Sequence, residues 1–440
     1  MNAVDRLTTG LISALEFVDC NSEMLGIVER PGIDFTRNAK LSRKDVMMAL
    51  VSMSGGALAK ELEECGLSVL VSTFVEARKK IPAQAFELLF EWFNRNTSEM
   101  DRRRAYGRRI LAADGTVVNM ARNPAASSFM QNSGHPEGLN QLHLNAIYDI
   151  SNNTYFDARI QPQPQTNEVQ ALVDMIEAQQ LDESTLLLAD RGYQSYNLIE
   201  HIRRKRNLDF LIRVKDSRTS WKAIQQLPMR ELDVDVTTTI STTQRKADKQ
   251  AGHVFLQTHT DSEKEYSPRT RAGRWDFESP CEVSFRVVRF PLSTGEYETV
   301  VTSLPRVVPS DTVKELYHSR WGIETSFNQL KHAVGLIFLH GKSDEFVMQE
   351  IYAQLTAFNF CSRVCAAVPV EQKEGNIYQY KINFTQAVHR CREFLKGANM
   401  SSEELMEKIS RNVVPDRPGR ADKRKLHPKG FVGFTYRVAA

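Results

Sequence analysis

The order of strand and helix patterns between residues 108 and 215 constrains the fold of this chain more than any other feature. The segment RRILAADGTVVNM predicts two strands joined by an Asp-Gly turn. A hairpin of two longer strands, LNQLHLNAIYDI and TYFDARIQP, is then predicted around the turn SNN. A helix, a short apolar strand, a second helix and the strand LDFLIRVK then follow. This order predicts a mixed α/β sheet that begins with antiparallel strands.

The segments on either side of this sheet follow other patterns. Residues 1–100 place apolar side chains at helical spacing, with breaks at Gly55-Gly56 and Pro82. Short helices with a basic end suit DNA binding, although small helical domains of other kinds have the same pattern. From 216 to 303 apolar and polar residues alternate with period two, which predicts strands. These patterns predict a helical N-terminal DNA-binding domain at 1–100 and a catalytic core at 101–215 and 304–370. The core includes a long buried helix at 345–368 and is interrupted by a β-strand insertion at 216–303. A helical, basic C-terminal region follows at 371–440.

The charge of the chain is nearly balanced but unevenly distributed. The 440 residues carry a net charge of +3, and basic residues cluster at 101–109, 203–206 and 417–429. Each cluster alone could be a solvated surface, but three together favour a polyanionic partner. The absence of a transmembrane or secretory pattern predicts no membrane partner and a location in the cytoplasm or at the nucleoid. Six scattered cysteines without zinc spacing predict reduced, structural thiols.

A helix is predicted at 316–335, and its polar residues are arranged unusually. At about 100° per residue, Tyr317, Arg320, Glu324 and Lys331 fall in one stripe roughly 60° wide. Ion pairing explains little of this stripe, because only Arg320 and Glu324 have the i,i+4 spacing. Arginine can clamp a phosphate, tyrosine can hydrogen-bond one, and Lys331 lies about 10 Å along the axis from Glu324. The stripe predicts a helix that follows a nucleic-acid backbone.

Three carboxylates are candidates for chemistry. Asp114 lies in LAADGT, Asp190 ends the apolar strand in LLLADRGY, and Glu324 is the acid of the polar stripe. Asp114 alone could mark a turn, and Asp190 alone could cap a helix. Together, carboxylates from two strands and a helix suit two Mg²⁺ or Mn²⁺ ions about 3.5–4 Å apart. Such a pair activates an attacking oxygen and stabilises a leaving oxygen at phosphorus.

The same residues carry a family resemblance. The spacing Tyr317-x2-Arg320-x3-Glu324-x6-Lys331 matches the Y-R-E-K signature of the insertion-sequence-four family of DDE transposases. The motifs around Asp114 and Asp190 resemble the first two catalytic motifs of that family, and the resemblance covers about residues 30 to 370. It implies an α/β, ribonuclease-H-like core with a β-rich insertion, in which Asp114, Asp190 and Glu324 bind two Mg²⁺ ions.

The resemblance also implies a reaction and a set of DNA contacts. A homodimer would pair the terminal inverted repeats of a bacterial insertion sequence, nick the DNA, form and open a hairpin, and join the ends to target DNA. In this family Tyr317 and Arg320 would contact phosphate near a flipped base, and Lys331 the terminal backbone. A tryptophan of the insertion would stack on that base. The candidate for stacking is Trp275, with Trp221 or a purely structural role as the alternatives, and the secondary DNA contacts are Arg213 and Lys215.

Other residues of the helix and other functions were weighed as well. Trp321 and Phe327 are predicted to belong to the core, and a general-base role for His318 or His332 is disfavoured because metals can supply the nucleophile. Two alternative functions stay open. One is a domesticated DNA-binding protein without catalysis, which the intact carboxylates disfavour. The other is a ribonuclease-H-like nuclease that cleaves without joining.

Overall fold

The computed structural model describes residues 1–28, 30–35, 40–216, 220–258, 274–292, 294–372, 375 and 377–417. All of the basic cluster at 417–429 except Arg417 therefore lies outside the described residues. Ten strands form one mixed sheet in the order β2-β3-β1-β5-β6-β10-β9-β7-β8, with β4 also paired to β3. The strands are β1 (Arg109–Met120), β2 (Phe129–Asn132), β3 (His135–Asp149), β4 (Thr154–Pro162), β5 (Thr185–Ala189), β6 (Leu208–Val214), β7 (Leu232–Ser241), β8 (Val254–Phe255), β9 (Cys281–Pro291) and β10 (Tyr297–Thr302).

Helices cover the sheet and make up the N-terminal region of the chain. The sequence patterns that predicted helices at 1–100, after Thr166 and after Ser195 are confirmed. A short two-stranded sheet of β11 (Tyr380–Ile382) and β12 (Val413–Pro415) lies near the C-terminus. The helices are α1 (Ala3–Cys20), α2 (Arg43–Ser52), α3 (Leu58–Glu64), α4 (Val71–Lys79), α5 (Ala83–Thr97), α6 (Glu168–Ala178), α7 (Tyr196–Arg204), α8 (Lys222–Gln225), α9 (Lys246–Gln250), α10 (Ser310–Ser319), α11 (Trp321–His332), α12 (Asp344–Ala367), α13 (Phe384–Leu395) and α14 (Ser402–Ser410).

The central strands confirm the predicted mixed α/β architecture. The hairpin of β3 and β4 is antiparallel, and β1 pairs antiparallel with β3 on one side and parallel with β5 on the other. The predicted turn at Asp114-Gly115 is wrong, because β1 continues through both residues. Asp114 pairs with Ala146 and Gly115 with Asn145, so the long ladder with β3 keeps the dipeptide extended.

Alternation along β1 divides the apolar core between the two faces of the sheet. Ile110 and Ala112 pack into a core shared with α1, α5 and α12, whereas Leu111 and Ala113 pack with α6 and α7 on the opposite face. The predicted long buried helix is α12, and the helices of residues 1–100 pack against it. Strands of the predicted insertion continue the same sheet, since β10 pairs directly with β6.

Two further expectations can be compared with the structure. All six cysteines lie among the described residues and none forms a disulfide, as predicted. Among the residues described, no helix has the length and apolar character needed to cross a membrane.

Candidate active site

The pairing register of two parallel strands brings two of the candidate carboxylates together. Ala113 of β1 is opposite Ala189, the last residue of β5. Asp114 is the next residue of β1, and Asp190 directly follows the end of β5. Side chains alternate along a strand, so the carboxylate of Asp114 points to the α12 side, away from α6 and α7. Asp190 also accepts a hydrogen bond from the Gly192 N–H at 2.7 Å and so begins a short 3₁₀ turn.

The third carboxylate is linked to the first by an arginine. Glu324 lies in the first turn of α11, which packs against β1. Nη2 of Arg320 donates to Oε1 of Glu324 at 2.8 Å, and Nη1 lies 3.4 Å from Oδ2 of Asp114. Arg320 is 7% exposed. The guanidinium therefore bridges the two carboxylates on the inside of the site.

The predicted single helix at 316–335 is wrong, because the chain tightens at Arg320 and α10 gives way to α11. The N–H of Arg320 bonds the carbonyl of Tyr317 at 3.1 Å, and the N–H of Ile323 bonds the carbonyl of Arg320 at 3.1 Å. These i,i+3 bonds advance the chain about 120° per residue instead of about 100°. Tyr317 on α10 lies in the core, where it is 3% exposed, and the turn separates it from Lys331 on α11.

Two aromatic residues of this segment have opposite environments. Phe327 is 6% exposed, which confirms its predicted place in the core. Trp321 was also predicted to be in the core, but it is 50% exposed. Its ring lies 5.6 Å from the guanidinium of Arg320. An exposed indole beside the carboxylates is a surface on which a nucleic-acid base can stack.

Burial makes the ionised form of Asp114 unfavourable. Desolvation, followed by the nearby negative charges of Asp190 and Glu324, raises the pKa of its carboxyl to about 6. The Gly115 N–H and the charge of Arg320 oppose this rise without cancelling it. The site therefore holds an excess of negative charge that one arginine does not balance.

Glu168 is a further acid close to the turn that follows Asp190, and the sequence patterns did not single it out. The buried phenol of Tyr193 has a pKa raised well above its usual value, first by burial and then by the charges of Glu168, Asp114 and Asp190. Glu168 is the first residue of α6, and its Oε2 would lie 3.7 Å from a Cβ atom on Gly192, two residues after Asp190. Its signal in the sequence was an acid directly after a Thr-Asn helix cap, a place where an acid is ordinary.

We expect Asp114→Asn to stabilise the fold at neutral pH. Folded Asp114 holds its proton up to about pH 6, whereas the unfolded chain releases it near 3.8. The protonated carboxyl of Asp114 therefore contributes its full stabilisation of the fold below pH 3.8. That stabilisation is lost as the pH rises through the folded pKa of about 6. The variant should gain about 2 kcal/mol at pH 8 and nothing at pH 4. Urea melts of both proteins without divalent cations, at both pH values, measure this difference; an equal gain at both would contradict it.

Residues 105–360, which contain all three predicted carboxylates, match the family described as the transposase DDE domain. The chain belongs to the transposase DDE domain family. This confirms the predicted class, a DDE transposase that acts on DNA.

The comparison with solved structures gives a distant similarity. A solved structure described as the piggyBac transposase synaptic complex with hairpin DNA, determined by cryo-EM, is similar at 10% identity and a TM-score of 0.45. The similarity covers 97% of this chain and 88% of that chain. No curated protein matches the chain significantly.

The donor set of this DDE transposase suits a divalent cation. Aspartate and glutamate oxygens are hard ligands, and the raised pKa of Asp114 marks negative charge that a cation would neutralise. Over the described ranges, however, no three Asp, Glu, His or Cys side chains lie close enough together to hold one ion. Arg320 lies between Asp114 and Glu324 and pairs with both.

The remaining predicted DNA contacts of the transposase lie at several places. Lys331 donates to Oγ1 of Thr116 at 2.6 Å. Thr116 lies on β1, two residues after Asp114 and on the same face of the sheet. Arg213 on β6 pairs with Glu298 at 3.1 Å, and Lys215 is exposed just after that strand. Trp275 is half-buried, and its indole N–H donates to the Glu278 carbonyl at 3.0 Å. The other tryptophan of the insertion, Trp221, stacks on Tyr196 with ring centroids 4.0 Å apart. The side chain of His318 is 47% exposed, and its Nε2 lies 3.7 Å from Oε2 of Glu298.

Proposed function

We propose that this chain is a cut-and-paste transposase of the insertion-sequence-four family. In this proposal its sheet is a ribonuclease-H-like core extended by a β-rich insertion. One observation supports the proposal above the others: Arg320 pairs with both Asp114 and Glu324, and the charges of Asp190 and Glu324 act on Asp114. The spacing of the Y-R-E-K residues supports the choice of family.

The proposed reaction is a series of in-line displacements at phosphorus. Asp114, Asp190 and Glu324 would hold two Mg²⁺ ions, or Mn²⁺ in their place, which stabilise the attacking and leaving oxygens. Water first cleaves one strand, and the freed 3′-OH then forms the hairpin. Water opens the hairpin, and the 3′-OH last attacks target DNA. In each step one O–P bond forms as another breaks, so one site serves all four.

Arg320 would change partners during this cycle. It now neutralises Asp114 and Glu324 from the inside of the site. When cations take over that charge, its planar guanidinium is free to clamp a backbone phosphate with two hydrogen bonds. Tyr317 is buried beside Arg320 and would contact DNA only after a small movement of α10. In this proposal Arg320 binds phosphate before Tyr317 does.

The wider assembly is proposed on the same basis. A homodimer would hold two terminal inverted repeats and the target DNA in the bacterial cytoplasm, at the nucleoid. Residues 1–100 would bind DNA as a helical domain, 101–215 and 304–370 would form the catalytic core, 216–303 the insertion, and 371–440 a basic C-terminal region. The secondary DNA contacts in this proposal are Arg213, Lys215 and Trp275.

We expect Lys331→Ala to weaken DNA binding and to reduce its salt dependence. Lys331 lies on the last turn of α11 beside Thr116, where its ammonium group can bind one phosphate. Loss of one phosphate contact lowers the slope of log K against log salt by about one unit. Fluorescence anisotropy with terminal-repeat DNA across a salt series measures the slope. Lys249→Ala, at an exposed lysine of α9, is the control; equal slopes for all three proteins would remove Lys331 from the phosphate path.

Incubation of the protein with terminal-repeat DNA, target plasmid and Mg²⁺ tests the function as a whole. Hairpin ends followed by joined products would support the transposase. Binding without cleavage would support the domesticated DNA-binding protein, and cleavage without hairpins or joining would support the nuclease. Either of the last two results would overturn the proposal.

A further inference from the structure

A pair of buried hydroxyl groups connects α11, the helix that carries Glu324, to strand β4. Tyr155 on β4 is fully buried, Ser326 on α11 is 1% exposed, and their hydroxyl oxygens lie 3.0 Å apart. The Ser326 hydroxyl donates its one proton to the carbonyl of Ile323 at 2.7 Å, so the Tyr155 hydroxyl is the donor to Ser326. Burial raises the pKa of Tyr155 well above its usual value, which keeps that proton in place. The bond therefore holds the turn of α11 that contains Glu324.

The backbone of Tyr155 is itself held by two helices. Its N–H donates to Oδ1 of Asn359 on α12 at 2.7 Å, and Nδ2 of Asn359 donates to the Tyr155 carbonyl at 2.8 Å. Nδ2 of Asn94 on α5 donates to the same carbonyl at 3.0 Å. Buried polar groups that satisfy one another in this way make the core around them rigid. Tyr155 is therefore a fixed point to which α11 is attached.

A second contact on the same flank of α11 shows how closely the helix approaches the β3–β4 hairpin. Gly322 lies four residues before Ser326, and a Cβ atom on it would come within 3.3 Å of Cγ2 of Ile150, in the turn between the two strands. Residues four apart share one flank of a helix, whereas Glu324 is about 200° from Gly322 at about 100° per residue. The hairpin thus holds one flank of α11 while Glu324 lies on another.

A contribution to stability alone explains the hydroxyl pair poorly. The rings of Tyr148, Phe327 and Phe358 surround the Tyr155 ring, with centroids 5.1, 6.1 and 4.9 Å away. In this apolar setting phenylalanine and alanine would fill nearly the same space as Tyr155 and Ser326, and replacing both partners of a buried bond in this way is often nearly neutral. The pair adds geometry instead, because a slide or rotation of α11 would leave two buried hydroxyl groups unsatisfied.

We propose that Tyr155 and Ser326 are positioning residues, which hold α11 at the depth and rotation that Glu324 needs in order to act with Asp114. The inference rests on the proposed function, since that function requires the carboxylate of Glu324 at this place. A displacement of about 1 Å at a reacting group can cost about a hundredfold in rate. Both hydroxyl groups are buried, so neither contacts DNA, and they act only through the helix that carries Glu324.

Two substitutions remove the bond from its two ends. In single-turnover cleavage of terminal-repeat DNA by the full-length protein in Mg²⁺, Tyr155→Phe and Ser326→Ala should each lower the rate constant by about tenfold to a hundredfold. The Kd for the same DNA should stay at the wild-type value. The double variant should lose no more than the more impaired single variant, because both substitutions break the same bond. Losses that multiply, or weaker DNA binding, would contradict the positioning role.

Two buried hydroxyl groups whose hydrogen bonds do not involve α11 provide matched controls. Tyr148, in the same aromatic cluster, has its hydroxyl oxygen 3.4 Å from Oδ1 of Asn153. Ser52 on α2 donates to the carbonyl of Met48 in its own helix at 2.9 Å. Tyr148→Phe and Ser52→Ala should cleave at the wild-type rate. Equal losses in controls and test variants would show a general effect of removing a buried hydroxyl group and would overturn the inference.

Fluorine NMR of protein labelled with fluorotryptophan measures the placement of α11 without using activity. Trp321 is the first residue of this helix, and Trp321→Phe identifies its signal among the four tryptophans. Tyr155→Phe and Ser326→Ala should shift or broaden that signal and leave the signal of Trp221, in the insertion, unchanged. Circular dichroism checks that each variant is folded. If Tyr155→Phe does not fold, Ser326→Ala breaks the same bond with a smaller change.

Glu324→Gln separates the failure of this inference from the failure of the proposed function. If Glu324→Gln abolishes cleavage but the two hydroxyl variants cleave at the wild-type rate, or lose rate without a shift of the Trp321 signal, the positioning role is overturned and the carboxylate site stands. If the wild type does not cleave, or Glu324→Gln cleaves as fast, the proposed function fails and the inference fails with it. Loss of rate in all three variants, with the Trp321 signal shifted in the hydroxyl variants, supports both.

Discussion

Replacing Glu324 with glutamine is expected to abolish DNA cleavage while DNA binding persists. The amide keeps the size of the side chain and can still accept the hydrogen bond from Arg320, so the local fold should hold. It removes the negative charge that Glu324 would supply to the proposed cation site beside Asp114 and Asp190. We expect at least about a thousandfold loss of rate, which corresponds to about 4 kcal/mol of activation free energy.

The measurement compares cleavage of terminal-repeat DNA in Mg²⁺ with gel-shift binding of the same DNA. Glu315→Gln on α10 is the matched control, because Glu315 is a nearby glutamate that accepts a hydrogen bond from the exposed phenol of Tyr106 at 2.7 Å. That variant should cleave at the wild-type rate. Cleavage by Glu324→Gln at the control's rate would remove Glu324 from the metal site, and loss of binding would assign it to DNA contact or folding instead.

Elements whose signals are local could be predicted from the sequence around the site. The apolar run that ends at Asp190 is β5, and the Thr-Asn cap does begin α6. The capping box at Ser42 also starts a helix, with the side chain accepting from the Asp45 N–H. In each case neighbouring residues contain the whole cause, either an apolar run or a side chain that satisfies a free backbone N–H.

Elements that depend on distant pairing could not be predicted in this way. Asp114-Gly115 has the composition of a turn, but the partners of β1 on β3 keep it extended. The turn at Arg320 divides the predicted helix, so phases calculated along one unbroken helix do not relate Tyr317 before the turn to Lys331 after it. Glu168 is more than fifty residues from Asp114 in the chain, and only the packing of α6 on the sheet brings it to the backbone of Gly115.

The second large effect concerns stability, at a buried ion pair that ties the N-terminal helices to α12. Nη1 of Arg78 on α4 lies 2.9 Å from Oε1 of Glu350, and the two side chains are 2% and 4% exposed. Arg78 also donates to Oε1 of Gln349 at 2.6 Å and to the Phe346 carbonyl at 2.5 Å. Arg78→Met would leave Glu350 buried without its charge partner, although the N–H groups of His340 and Gly341 still donate to it.

We therefore expect Arg78→Met to lower the free energy of unfolding by about 3–5 kcal/mol, the usual result of removing one partner of a buried pair. Urea denaturation followed by circular dichroism measures the change. Lys79→Met is the control on the same helix, because the ion pair of Lys79 with Glu76 is exposed, and a change within about 0.5 kcal/mol is expected there. The double variant Arg78→Met with Glu350→Gln should be less destabilised than the sum of the single variants, because each substitution removes the same pair. Full additivity, or equal effects of Arg78→Met and Lys79→Met, would show that the pair does not hold α4 to α12. Such a result would leave the apolar contacts of the shared core as the attachment of the N-terminal helices to the rest of the fold.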